Sequence, residues 1–234
     1  MIRLTRVTFE PKVNALRRSI LRNASFRFEH PRMAVLHADP QERGLLADLL
    51  VGQKMPVSGR VDWAVEPSWP IGQARFLQLE LTGWQNLTMI ADLYHAPARA
   101  ARLALEPFDH MDLMDLPLRR WLPAARLQFA YCLGLAPEFG SYVLHGALAP
   151  PGWRSYPLWA RRFGERVAHR QLIVLTPQAA LLPKLNPVHV GVVEGRFVLV
   201  TDPQAFLRGA SLLPDEERPE EPQAADDSQN DPFL

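Results

Sequence analysis

Residues 34–59 read AVLHADPQERGLLADLLVGQKMPVSG. Residues 33–36 form a short, fully apolar strand in this reading. An apolar helix over 45–51 ends at Gly52, a residue suited to a helix C-terminus. A turn at Pro56, Val57, Ser58 and Gly59 follows. Strand, loop and helix in this order are the frame that carries GxxxxGK[ST], the glycine-rich loop that wraps phosphates. Here the eight positions are His37, Ala38, Asp39, Pro40, Gln41, Glu42, Arg43 and Gly44. The frame is present without the chemistry. His37 and Glu42 stand where glycines would let backbone N–H groups turn inward, and Pro40 has no N–H to offer. Glu42 adds negative charge where phosphate would sit. Arg43 keeps a positive charge without the compact shape of lysine, and Gly44 has no hydroxyl for Mg²⁺.

Working outward, residues 2–9 alternate in the period-two manner of a half-exposed strand, and 25–28 and 60–65 read as further strands. Residues 67–81 read as a loop. From 83 to about 137 the pattern is helical, with helices over 84–94, 98–108 and 124–136. Buried strands follow at 141–144 and 172–175, separated by a helix over 159–170 with Arg161, Arg162, Arg166 and Arg170 on its polar side. A hairpin over 188–194 and 196–201 turns at Gly195, and a short helix lies near 204–208. Strands and helices alternating around a helical insertion predict an α/β core with a largely parallel sheet. The core and a β-rich N-terminal part span about 1–82 and 138–210, with a helical subdomain at about 83–137.

The 234 residues suit one α/β domain with a subdomain. The single cysteine, Cys132, implies no internal disulfide. No stretch reaches the roughly 18 apolar residues of a membrane span, and residues 1–10 show no signal peptide, so a cytoplasmic protein is expected. The formal charge of +1 hides an asymmetry: residues 214–234 hold eight acids and one arginine, leaving 25 basic and 17 acidic groups in the rest. That segment has almost no apolar residues to offset its ordering entropy and reads as a disordered acidic tail after a domain over 1–213. The basic body favours an anionic partner or surface; the alternative is that the tail screens its own body.

With the elements in place, residues 68–94, SWPIGQARFLQLELTGWQNLTMIADLY, become specific. They resemble the segment after the first helix in ATP-binding subunits of ABC exporters for capsular and related polysaccharides, close to SWP-[VI]-G…F-Q-x-x-L-T-G-x-x-N…LY. Ser68, Trp69, Pro70, Gly72, Gln78, Leu81, Thr82, Gly83, Asn86, Leu93 and Tyr94 carry the match, and Pro56, Ser58 and Gly59 fit the turn before it. The resemblance implies the ABC-type P-loop NTPase fold. It also implies that the family's catalytic positions are lost here. The strand that should end in Asp-Glu ends Leu144, His145, Gly146. The signature loop aligns with Leu122, Pro123, Ala124 and Ala125, and the switch histidine aligns with Pro177. Only Gln78, the glutamine that senses nucleotide and membrane partner, is kept.

A non-catalytic homologue is therefore expected, with no catalytic residue, no ATP or Mg²⁺ binding and no metal ligand set. His37, Pro40, Glu42, Arg43, Gly44, Gln78, His145, Gly146 and Pro177 are the relic positions. The resemblance implies docking to a polysaccharide-exporter permease at the inner membrane through Phe76, Gln78, Leu79, Leu81, Thr82 and Gly83, with an intact ATPase subunit as a further partner. The competing readings are an active ATPase in an asymmetric pair and a free cytosolic scaffold regulating polysaccharide synthesis. His37, His145 and Asp39 lack the spacing of a zinc site. The scattered tryptophans give no stacking platform for nucleic acid, and the four arginines of 159–170 read as a solvated helix face.

Overall fold

The alternation of residues 2–9 folds as a strand, β1 (Ile2–Phe9), with Ile2, Leu4, Val7 and Phe9 buried. In the computed structural model, which describes residues 1–13, 16–146, 152–178 and 185–211, the chain continues through β2 (Lys12–Val13), β3 (Leu16–Arg17), β4 (Leu21–Phe28), β5 (Arg32–Leu36), α1 (Pro40–Leu50), β6 (Ser58–Trp63) and β7 (Pro67–Ile71). Then come α2 (Gly83–Leu93), α3 (Ala98–Ala104) and α4 (Pro123–Leu133), linked by 3₁₀ turns at Met111–Leu113 and Leu118–Arg120. The described chain closes with β8 (Ser141–His145), α5 (Tyr156–Val167), β9 (Gln171–Thr176), β10 (Val188–Val193), β11 (Arg196–Leu199) and α6 (Pro203–Ser211). The acidic segment 214–234 lies outside the described residues.

A six-stranded sheet runs β11-β10-β5-β9-β8-β7, parallel throughout except for the β10–β11 hairpin. Glu194 and Gly195 turn that hairpin, both with positive φ, as a two-residue turn between twisted strands requires. The central strands β5, β8 and β9 are apolar on both faces, the pattern of a parallel sheet covered on both sides. Side chains alternate between two cores. Met33, Val35, Val143, Ile173, Leu175 and Val190 pack with α1 and the antiparallel sheet β4-β1-β6. Ala34, Tyr142, Leu144, Leu172 and Val174 pack with α2–α5. The sheet is thus the middle layer of three.

Several boundaries differ from the sequence reading. Residues 67–71, read as loop, form the edge strand β7. Pro67 and Pro70 removed its strand signature, yet an edge position tolerates them because one side of the strand needs no donors. α1 starts at Pro40 rather than at 45, and α5 spans Tyr156–Val167 rather than 159–170. Gly52 does end α1, at φ 78°, and Trp63 closes over that end, its indole Nε1 donating to the Leu50 carbonyl at 2.7 Å.

Candidate functional site

The β5–α1 junction decides what can bind at the C-terminal edge of the sheet. Asp39 is the N-cap of α1, and its Oδ1 accepts from the amides of Gln41 (2.7 Å) and Glu42 (3.0 Å). Pro40 follows at the first helical position, where its missing N–H costs nothing. The free amides of a helix N-terminus are what an anion would use. Here the chain's own carboxylate occupies them. Burial by itself raises the Asp39 pKa, but the amides of Glu42 and Gln41, with Arg18 and His37, outweigh it and hold the carboxyl below its ordinary value.

A charged cluster covers this cap. Arg18 Nη1 reaches both Asp39 Oδ2 and Glu42 Oε1 at 3.2 Å, and His37 Nε2 lies 3.2 Å from Glu42 Oε2. The hydrogen bond from His37, opposed by burial, keeps Glu42 below the usual carboxylate range. Arg43 turns back rather than outward: it is buried, and its Nη1 donates to the carbonyls of His37 (2.8 Å) and Ala38 (3.1 Å). Its charge holds the loop closed.

Beside this junction lies a cleft of about 520 Å³, with Lys12, Gln41, Gly44, Gln73, Arg75 and His145 in its walls. His145 ends β8. Burial, reinforced by the charges of Arg43 and Arg75, pushes its pKa down to about 4, so the imidazole is neutral at pH 7. Gly146, next in the chain, has φ 93° and no side chain to offer, so no carboxylate stands at the end of β8. Arg75 pairs with the buried Asp48 at 2.9 Å. Gln73 Nε2 and His145 Nε2, both without a hydrogen-bond partner among the described residues, lie 3.7 Å from where a Cβ on Gly44 would stand. Among the described residues no three His, Cys, Asp or Glu side chains gather as a metal would need.

Of the relic positions, the fold brings Pro40, Gly44 and His145 to this cleft, with His37, Glu42 and Arg43 forming the junction beside it. Pro177 is half-buried just past β9. Leu122 is the N-cap of α4, 74% exposed, and that helix start has no side-chain cap. Gln78 is exposed, and the wall of this cleft carries Gln73. Gln73, Arg75 and Lys12 were missed. Gln73 follows directly on Gly72 at the end of β7, a position hidden as long as 67–81 was read as one loop.

The segment expected to dock a permease is braced from within. Buried Asn86 accepts from the Gln78 amide at 2.9 Å and donates to the carbonyls of Gln78, Leu81 and Thr82 at 3.0–3.3 Å. Thr82 and Gln85 form a capping box at the start of α2. A Cβ on Gly83 would stand 2.6 Å from Met114 Sδ. Phe76 packs inward on Trp69, ring centroids 4.8 Å apart. Of the residues assigned to docking, Leu79 is the large apolar one that is clearly exposed, at 43%; Leu81 is half-buried.

Removing the cap gives a direct check of the junction. The Asp39 carboxyl has a lowered folded pKa, so its contribution is fully present above the unfolded value near 4 and is lost as pH falls through the folded one. Asp39→Ala is expected to lose about 1 kcal/mol at neutral pH, the size of an N-cap. The gap to the parent should narrow below about pH 4, as thermal melts at both pH values will report.

No protein-family profile matches the chain. Three curated relatives do. They are the ATP-binding protein BexA of Haemophilus influenzae (26% identical, over 64% of this chain and 70% of that protein), the capsule polysaccharide export ATP-binding protein CtrD of Neisseria meningitidis serogroup B (25%, over 56% and 62%), and the polysialic acid transport ATP-binding protein KpsT of Escherichia coli (24%, over 62% and 68%). Among solved structures, the ATP-binding subunit of an ABC transporter superposes with a TM-score of 0.66 at 16% identity, over 89% of this chain and 94% of that one. The dimeric bacterial ABC transporter cassette MJ0796 superposes with 0.64 at 13%, over 84% and 96%. No described helix is long and apolar enough to cross a membrane. The chain therefore has the fold of ABC-transporter ATP-binding subunits, and its curated relatives include ATP-binding proteins of capsule polysaccharide export.

Proposed function

We propose that this protein is a non-catalytic homologue of the ATP-binding subunits of bacterial surface-polysaccharide exporters, working as a structural or regulatory component at the cytoplasmic face of the inner membrane. The observation that carries the proposal is the Asp39 carboxylate on the amides of Gln41 and Glu42. A nucleotide phosphate entering there would have to displace a bound anion of the same sign, beside Glu42 and a proline without an N–H. The end of β8 supports the same reading, because His145 and Gly146 supply no carboxylate to hold Mg²⁺ or polarise water. These residues do not fit a Mg-nucleotide.

The alternative, an active ATPase in an asymmetric pair, would need one composite site left whole. The resemblance places the phosphate loop and the signature in different subunits of each site, and both are altered in this chain. Pairing with an intact partner would impair both sites.

The proposed partners are a polysaccharide-exporter permease and an intact ATPase subunit. Leu79 offers the cleanest test of docking, because it is exposed while its neighbour Phe76 is committed to the core. Leu79→Asp is expected to reduce co-purification with the permease at least about tenfold, the loss of one apolar anchor, and to melt within about 2 °C of the parent. His145→Ala, in the relic cleft, should leave co-purification unchanged. The opposite pattern would move the docking surface to the old nucleotide pocket.

A further inference from the structure

The cleft beside the β5–α1 junction has a wall that is held in place from within the fold. Asp48 of α1 is buried and holds Arg75 Nη2 at 2.9 Å. Arg75 Nε in turn donates to Gln73 Oε1 at 2.9 Å. A guanidinium has donors only, so the Gln73 oxygen faces it and the amide nitrogen is turned away. That nitrogen, His145 Nε2 and Arg75 Nη2 converge on the space over Gly44, where a Cβ would stand 3.7, 3.7 and 4.0 Å from them. Gln73 Nε2 and His145 Nε2 are buried without a hydrogen-bond partner among the described residues. Native structures seldom leave two such atoms unpaired around one point.

The charge of the wall narrows what can satisfy them. Among the described residues no Asp or Glu lines the cleft, and Lys12 stands in its wall, exposed and without an ion pair. Arg75 is shared with Asp48, so the wall offers a single uncompensated positive charge. A dianion would bring its second charge towards Glu42, and the helix amides that would take it are already held by Asp39. Gln41, Gln73 and the neutral His145 supply both donors and acceptors, which suit hydroxyl groups. The cleft volume of about 520 Å³ is that of a small-molecule site.

We propose that this cleft binds a small hydroxylated carboxylate, its carboxylate between Lys12 and Arg75 and a hydroxyl on Gln73 Nε2 and His145 Nε2. A hydroxyl accepts from the Gln73 amide and exchanges a second hydrogen bond with either tautomer of the imidazole. The Arg75 side chain is 62% exposed, so it and Gln73 can swing to admit the ligand to the two buried nitrogens. The proposal rests on the non-catalytic reading, since a cleft that took Mg-nucleotide would be filled by it. It gives the regulatory role a ligand to respond to.

The test titrates the full chain with D-gluconate as the probe, read by calorimetry and thermal melts. A dissociation constant of about 1 mM or below is expected, so that about 20 mM probe raises the melting temperature by at least about 2 °C. D-glucose, which lacks the charge, and inorganic phosphate should each bind at least about tenfold more weakly. Lys12→Glu should weaken gluconate at least about tenfold. Arg27→Glu, at an exposed position of β4 outside the cleft wall, should not. Gly44→Ala puts a methyl group among the three nitrogens. It should melt at or above the parent without probe, as alanine for glycine inside a helix does, and lose the gluconate shift. Mg-ATP is titrated separately, and micromolar Mg²⁺-dependent affinity overturns the non-catalytic reading and this proposal together. No gluconate shift, or a shift that survives both Lys12→Glu and Gly44→Ala, overturns this proposal alone. So does phosphate that binds as tightly as gluconate.

Discussion

Titrated with Mg-ATP to millimolar concentration, the purified protein is expected to give no binding isotherm and no hydrolysis. A dissociation constant of 1 mM corresponds to only about −4 kcal/mol, a low threshold for a site that uses a helix N-terminus, a lysine and a metal ion together. In this fold the helix amides are taken by Asp39, Arg43 is spent on two carbonyls, and β8 ends without a carboxylate. Calorimetry and a phosphate-release assay check the two halves separately. Micromolar ATP affinity that depends on Mg²⁺ would sink the non-catalytic reading while leaving the fold assignment untouched.

The second large effect is on stability. Asn86→Ala removes four hydrogen bonds to the loop 78–82 and leaves the Gln78 amide without its acceptor, while the carbonyls of Gln78, Leu81 and Thr82 each keep a backbone donor. An unsatisfied amide costs about 1–3 kcal/mol and each lost hydrogen bond to a carbonyl about 0.5–1.5, so a net loss of about 3 kcal/mol is expected once the loop relaxes. For a domain of this size that lowers the melting temperature by about 6–12 °C. Scanning calorimetry of the variant beside Leu79→Asp separates the two roles of the segment. A variant that melts with the parent would show that the 3₁₀ turn at Leu118–Arg120, which donates backbone hydrogen bonds to Leu79 and Leu81, holds the loop alone.

Much of the architecture was legible because apolar runs and glycines speak locally. The strands around Val35, Val143 and Val174, the end of α1 at Gly52 and the turn at Gly195 all stand where period and turn chemistry put them. The failures came where local signals competed. Asp39 and Pro40 are an N-cap and first-turn pair by residue type, but matching the stretch to a phosphate-loop template hid that signal and delayed the helix by five residues. The two prolines of β7 concealed an edge strand, and with it the position of Gln73. Which glutamine faces the cleft depends on how residues 72–82 fold back over α2, and no spacing rule contains that. Phe76, expected to dock, packs on Trp69, and Thr82 and Gly83, which carry the family match, cap and pack the start of α2; residue spacing does not separate such internal roles from docking.

The early start of α1 also bears on reversibility. Replacing Arg43 by lysine would leave the helix amides capped, and replacing Asp39 alone would leave Pro40 in the first turn. Each single step toward a phosphate loop gives up native hydrogen bonds before any ligand can compensate, at about 1 kcal/mol for the cap alone. Several changes must arrive together before binding repays the loss. On the proposed non-catalytic reading the junction therefore acts as a ratchet: a return to a phosphate loop would cross less stable intermediates before any binding is gained.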